Sequence, residues 1–420
     1  MALKSVDQIA VAGRRVFLRV DFNVPREKRE AIKNQARRAV EGEAPRALPV
    51  EGATRAPIID DTRIREALPT IQYLLEQKAK VILASHMGRP KGKDLEESLM
   101  EVATRLTELL NKEVIFPEDC VGDAVRKLAH DLREGEILLL ENLRFHKEEE
   151  ANDPHFAETL AQLGEVYLTD AFGALHRAHA STVGMVGHFK EKGIGFLVKK
   201  ELEFLGRLIN NPERPFFVVL GGAKVSDKIG LIENLLPKID GLLLGGGLAY
   251  TFLKAQGIPV GRSRVEEEKL YLAQKILQKG KENGVPIHLP VDHRVAEKME
   301  ESAVPWVTSR IGDREMGLDI GPETAKTYAD LLGRAKTVFW NGPMGVFEIP
   351  SFAEGTAAVA KAVAFSTEAG AFSVVGGGES LAAVRMSGVA DRISHLSTGG
   401  GATLEYLEGK ELPGLKVLEG

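Results

Sequence analysis

The 420-residue chain contains a single cysteine, Cys120. That excludes an intrachain disulfide and argues against a thiolate metal cluster. No apolar run reaches membrane-spanning length, and the opening MALKSVDQIA lacks the basic cap and apolar stretch of an export signal. A cytoplasmic protein with no membrane partner is the expectation. Positive charge is not in excess: 55 Lys and Arg stand against 60 Asp and Glu, a formal net charge of -5. General nucleic-acid binders carry a basic stripe or domain, so no nucleic-acid partner is expected, and any anion site must be a local focus of cations. Also missing are a GxxxxGK[ST] loop, a GxGxxG turn with its acidic partner after a first strand, and protein-kinase catalytic motifs.

What is present is length, apolar content and glycine. At 420 residues and 44% apolar composition the chain exceeds the size of one ordinary core, so two domains are expected. Apolar runs recur at 16–20, 80–84, 136–140, 165–169, 216–220, 241–245, 337–340 and 372–376. Each is followed by a turn and an amphipathic stretch, and such continuous runs suit strands covered on both faces. The reading is α/β: two Rossmann-like, three-layer αβα domains with mostly parallel sheets, joined by a hinge helix. Helices are expected at about 64–76, 95–110, 230–238, 266–279, 322–332 and 352–364. The stretch KEKGIGFLVKKELEFLGRLI reads as one long helix that ends at NNPERP, placing the boundary near 190–212. Residues 26–57, with eight Lys/Arg and five Glu, break the rhythm and read as an inserted segment, either solvated or in contact with a substrate or partner.

Glycine clusters end the second-half strands. Leu220-Gly221-Gly222-Ala223-Lys224 is followed by Lys228, and the two lysines would share a face if helical. Further turns are Gly245-Gly246-Gly247, Trp340-Asn341-Gly342-Pro343-Met344-Gly345, Gly376-Gly377-Gly378-Glu379-Ser380 and Gly399-Gly400-Gly401. Glycine admits close approach of an anion, helix starts offer free N–H groups, and the carboxyl ends of parallel strands line the ligand crevice. Glu348 could accept ribose hydroxyls or simply be a solvated carboxylate; Glu379, among the glycines, suits a Mg2+ ion, directly or through water. First-half turns are basic instead: Asp21-Phe22-Asn23, Arg63, Ser85-His86-Met87-Gly88-Arg89, Asn142-Leu143-Arg144 and Asp170 through His179. Arginine forks match phosphate and carboxylate oxygens. His86, His176 and His179 lack a zinc spacing and have arginine neighbours; each could be a hydrogen-bonding core histidine, and His86 could instead contact an anion.

These motifs resemble the phosphoglycerate kinase family. The resemblance runs through RVDFNVP, DDTRIREALPTI, SHMGRP, ENLRFH, DAFGALHRAHAS, GGAKVSDKI, LDIGPET, WNGPMGVFE, GGGES and STGGGATLEYLEGK, and covers the chain outside about 26–57. It implies reversible, direct in-line phosphoryl transfer from 1,3-bisphosphoglycerate to ADP, giving 3-phosphoglycerate and ATP, with Mg2+ and with domain closure. It implies an organisation of 1–195 as the phosphoglycerate-binding domain, 196–211 as the interdomain helix, 212–400 as the Mg-nucleotide domain, and 401–420 as a tail returning to the first domain, in a monomer. By motif match Asp21, Asn23, Arg63, His86, Arg89, Arg144 and Arg177 would bind phosphoglycerate. Gly222, Ala223, Lys224, Lys228, Gly246, Asn341, Pro343, Gly345, Glu348, Gly377, Gly378, Glu379 and Ser380 would bind nucleotide, with Glu379 at the metal. Arg63, Lys228, Lys200, Gly377 and Gly400 would act at the transferred phosphoryl, Lys199 being the competitor for the part given to Lys200. Three departures stand out: the inserted segment, Glu379 where aspartate is usual, and YLTDAFGAL for the commoner YVNDAFGTA.

Overall fold

The computed structural model describes residues 3–26 and 57–419. The expected inserted segment at 26–57 lies almost wholly outside them. The chain divides into two compact units, Met1–Lys200 with Leu412–Gly420, and Glu201–Glu411.

In the first unit six strands are β1 (Arg15–Arg19), β2 (Lys80–Ala84), β3 (Val114–Ile115), β4 (Ile137–Leu139), β5 (Val166–Thr169) and β6 (Glu191–Ile194). Their order is β3-β4-β2-β1-β5-β6 and every pairing is parallel. Helices cover the sheet, as the apolar strands demand; Phe17, Leu18, Ile82, Leu83 and Leu138 are fully buried. The helix Thr62–Glu76 turns Ile64, Ala67, Ile71 and Leu74 inward at helical spacing. The chain runs from β1 outward through β2 to β4, then returns to the other side of β1 for β5 and β6. That reversal opens a crevice beyond the carboxyl ends of β1, β2 and β5.

The second unit repeats the plan with β7 (Phe216–Leu220), β8 (Gly241–Leu244), β9 (Ile287–His288), β10 (His293–Ala296), β11 (Trp306–Thr308), β12 (Met316–Ile320), β13 (Thr337–Asn341), β14 (Phe372–Gly376) and β15 (His395–Ser397). The main sheet, β15-β14-β13-β7-β8-β9, is again parallel, and its reversal falls at β7 and β13. Trp340 is fully buried at the centre of the core, and its indole N–H donates to Gly342 O at 2.7 Å. A smaller antiparallel sheet, β11-β10-β12, was not foreseen.

One expectation needs correction. The stretch 190–209 is not one helix: residues 191–194 form β6, paired with β5, and the helix is Phe196–Asn210. Gly193 and Gly195 disfavour helix, and at Gly193 a Cβ would stand 2.4 Å from Lys4 O, so only glycine fits that edge. The compact division falls inside that helix at Lys200/Glu201, and Leu412–Gly420 joins the first unit. Helix Gly401–Leu407 belongs to the second unit, where Asn234 Nδ2 donates to Leu407 O at 2.6 Å.

Candidate active site

In the first unit the predicted cations gather at one end of the sheet. Arg63, in the first turn of Thr62–Glu76, donates to Asp21 Oδ2 at 2.5 Å. Burial alone would raise the Asp21 carboxyl; the charges of Arg63 and Arg19 and the Asn23 N–H outweigh it and hold the group below its ordinary range. Asn23 Oδ1 accepts from Gly88 N at 3.0 Å, and Arg144 donates to Gly88 O at 2.7 Å, so the turns after β1, β2 and β4 share one loop. Asn142 locks that loop by accepting from Met87 N and donating to Met87 O. His86 is buried against Arg19, with Nδ1 3.1 Å from a guanidinium nitrogen. Burial, with Arg19, Arg144 and Arg63 nearby, depresses its pKa well below the ordinary value and keeps the ring neutral. Burial also lowers the Arg144 guanidinium, which feels the charges of Arg177 and Arg19. Arg89 is exposed beside Gly88, and Arg177 Nε lies 3.2 Å from His176 Nε2. His179 is pushed down to about 4 by burial and by Arg144, Arg19 and Arg177. It therefore adds no charge at neutral pH.

Sequence reasoning missed what steadies this rim. Glu149 is fully buried and accepts from Ser181 N at 2.9 Å and Ser181 Oγ at 2.5 Å, while Arg19 Nε donates to the same hydroxyl at 2.9 Å. Burial raises the Glu149 pKa; Arg19 and the Ser181 bonds pull it back. The acidic run after ENLRFH was its only signal. Of the adjacent lysines, Lys200 lies 3.9 Å from Glu66, one turn beyond Arg63 on the same helix, whereas Lys199 pairs with Asp7 at 3.3 Å. A set of possible metal donors, Asp119, Cys120 and His146, clusters within 4.8 Å. The His146–Asp119 bond of 2.7 Å and the Cys120 N–H on the same carboxylate oxygen account for that cluster without an ion.

In the second unit the glycine turns after β7, β8 and β13 pack backbone against backbone. Gly222 N donates to Pro343 O at 2.8 Å, Gly246 N to Met344 O at 2.8 Å, and Leu248 N to Gly222 O at 3.0 Å. A Cβ on Gly342 (φ 93°) would fall 2.3 Å from Gly221 O, which explains glycine there. These turns, with Ala223, Pro343, Gly345, Tyr250, Glu348 and Glu379, enclose a cavity of about 450 Å³. Asn341 is buried; its Nδ2 donates to Gly376 O at 2.6 Å, while its Oδ1 has no partner. Ser380 Oγ accepts from Gly342 N at 2.6 Å. Gly377 caps the helix Gly378–Met386 with φ 94°, and a Cβ on Gly378 or Gly400 would meet nothing within 4 Å. Glu379 is exposed in that helix's first turn.

Lys224 and Lys228 do not share a helical face, because the helix begins only at Ile229. The preceding turn is held by Glu266, whose carboxylate accepts from Val225 N, from Ser226 N at 3.1 Å and from Ser226 Oγ at 2.7 Å. Lys224 is consequently exposed, while Lys228 is buried. Among the described residues the Lys228 ammonium has no hydrogen-bond or ion-pair partner. Burial lowers its pKa to about 8, opposed by the charges of Asp227 and Glu379.

A cationic rim in one unit and a nucleotide-sized cavity beside a buried lysine in the other are the equipment of an α/β phosphotransferase acting on a small anion. The phosphoglycerate kinase family pattern matches residues 47–410. The chain is 52% identical over 424 residues to phosphoglycerate kinase of Anaeromyxobacter dehalogenans (strain 2CP-C), covering 100% of both chains. It is 50% identical over 420 residues to that of Clostridium botulinum (strain Hall), covering 99% of this chain and 98% of the relative. Among solved structures, phosphoglycerate kinase from Coxiella burnetii superposes with a TM-score of 0.83 at 41% identity, covering 100% of this chain and 99% of the other. That of Pyrococcus horikoshii OT3 gives 0.81 at 35%, covering 99% and 98%. The chain belongs to the phosphoglycerate kinase family. Its reaction is the reversible transfer of a phosphoryl group between 1,3-bisphosphoglycerate and ADP.

Proposed function

We propose that the first unit binds phosphoglycerate through Asp21, Asn23, Arg63, His86, Arg89, Arg144 and Arg177, and that the second binds the nucleotide through its glycine turns, Lys224, Lys228, Asn341, Glu348 and Ser380. The observation that carries the reading is Lys228: a buried ammonium that has no hydrogen-bond or ion-pair partner among the described residues, and that feels the charge of the cavity-lining Glu379, is stabilised once an anion arrives. Arg144 and its neighbours anchor the substrate's remote phosphate. Arg63, Lys200 and Lys228, with the N–H groups at Gly377 and Gly400, stabilise the transferred phosphoryl.

Transfer runs directly in line. The ADP β-phosphate oxygen attacks the acyl phosphate and a carboxylate leaves. Neither that oxygen nor, in reverse, the carboxylate needs a protein base, so catalysis rests on alignment and on charge placed against the equatorial oxygens. This accords with a depressed, neutral His86. Mg2+ fits the second unit: Glu379 is an exposed carboxylate among open glycines, and Mg2+ ordinarily takes one or two carboxylates plus phosphates and water. Bound there, the ion would neutralise charge on the nucleotide phosphates. No helix of the described residues is long and apolar enough to cross a membrane; a cytoplasmic monomer is the proposed form. A coupled assay supplying 3-phosphoglycerate, ATP and Mg2+, with each omitted in turn, tests the reading. ADP should form only when all three are present; formation without 3-phosphoglycerate contradicts it.

A further inference from the structure

A buried chain of hydrogen bonds runs from Glu149 to His86 in the first unit, and each link has a fixed direction. Glu149, fully buried, accepts from Ser181 N at 2.9 Å and from Ser181 Oγ at 2.5 Å. The one hydroxyl proton of Ser181 is thereby committed, so its oxygen faces Arg19 Nε as an acceptor, at 2.9 Å. Arg19, only 1% exposed, also donates to Val20 O, and a terminal guanidinium nitrogen stands 3.1 Å from His86 Nδ1. Tyr167 O–H donates to Ser181 O at 2.9 Å, which holds the serine from its carbonyl side as well.

A guanidinium is donor-only and keeps its proton in proteins. His86 Nδ1 must therefore accept, because an N–H there would set two donors face to face. A doubly protonated ring is opposed in addition by burial and by Arg19, Arg144 and Arg63, which together outweigh the charge of Asp21. The remaining proton sits on Nε2, for which the described residues supply no hydrogen-bond or ion-pair partner. Building on the reading that His86 meets phosphoglycerate, we infer that Arg19 is a positioning residue that fixes His86 as its Nε2–H tautomer, a dedicated donor to an oxygen of that substrate, and that Glu149 aims Arg19 through Ser181. The charge of Glu149 offsets that of Arg19, so the chain keeps its arginine buried without stranding a cation.

Nitrogen-resolved NMR of protein isotopically labelled at histidine reads the tautomer directly, with His86→Gln identifying the signal. At pH 7 the intact protein should show Nδ1 bare and Nε2 protonated, and adding 3-phosphoglycerate should shift the Nε2–H resonance. The double variant Arg19→Met with Glu149→Met removes both buried charges together. In it the ring should admit the Nδ1–H form, and the KM for 3-phosphoglycerate should rise about tenfold with a smaller change in kcat. An Nδ1–H or doubly protonated ring in the intact protein overturns the inference whether or not the variant folds, and so does a variant whose ring stays wholly Nε2–H. The expected tautomer without any response to 3-phosphoglycerate overturns instead the reading of His86 as a substrate contact.

Discussion

Arg63 donates to Asp21 at 2.5 Å, joining the turn after β1 to the first turn of Thr62–Glu76. The carboxylate fixes a guanidinium that is two-thirds covered and would otherwise lie free at the strand ends. Asp21→Asn keeps the shape and removes the charge. We predict that it lowers kcat/KM for 3-phosphoglycerate about tenfold, through a loosened Arg63, with the KM for ATP little changed. Steady-state kinetics with each substrate varied separately provide the check; a loss confined to the ATP side would contradict the assignment.

Lys228 supplies a pH signature. Its folded pKa of about 8 lies below the ordinary 10.5, so the unliganded protein loses this charge as pH rises through about 8. If the charge draws in the nucleotide phosphates, log kcat/KM for ATP should bend downward there, since that quantity reports the free enzyme. In Lys228→Arg the bend should move beyond pH 10, whatever the absolute rate. A bend left near 8 in the arginine variant would assign it to another group.

Asp170 links titration to the helix Phe196–Asn210. It is fully buried, its Oδ1 accepts from Val198 N at 3.1 Å, and burial raises its pKa to about 7. A folded pKa above the unfolded one means that the native state holds the proton more tightly. Stability from this group is full below about pH 4 and is lost as pH rises through about 7. Asp170→Asn should therefore gain thermal stability relative to the parent between pH 5 and pH 8, by melting curves across that range. Parallel curves would rule this linkage out.

Glycine in the packed turn after β13 has a contrast elsewhere in the unit. In Gly342→Ala the new carbon would meet Gly221 O and C at 2.3 and 2.4 Å, both backbone atoms, at φ 93°. Loss of at least about 2 kcal/mol and of nucleotide affinity is expected. Gly370→Ala, at φ 96° with nothing within 4 Å, should cost about 1 kcal/mol and leave binding intact. Denaturant melts and nucleotide titrations of the two variants together check the pair.

Most of the parallel framework was legible because both-face burial writes continuous apolar runs, as in FFVVL of β7 and FSVVG of β14, each buried along its full length. Strand β6 was not: EKGI is short and polar at its start, and its identity comes from pairing with Val166–Thr169, a contact that local pattern does not encode. The antiparallel β10–β12 sheet was hidden for a related reason, since β11 is largely exposed. At the site, charged residues in strand-end turns could be read directly, but their supports could not. Glu149 and Glu266 act through Ser181 and through the N–H groups of Val225 and Ser226, 32 and about 40 residues away in sequence. Nothing local distinguishes either glutamate from a solvated one.

We propose that Arg63 in the first unit and Lys228 in the second each lower the barrier to phosphoryl transfer. Turnover at saturating 3-phosphoglycerate and MgATP in Arg63→Ala and Lys228→Ala, compared with Arg144→Ala, tests it most directly. We expect kcat to fall roughly 100-fold or more in each of the first two, while Arg144→Ala chiefly raises the KM for 3-phosphoglycerate. Wild-type turnover in both Arg63→Ala and Lys228→Ala would contradict it.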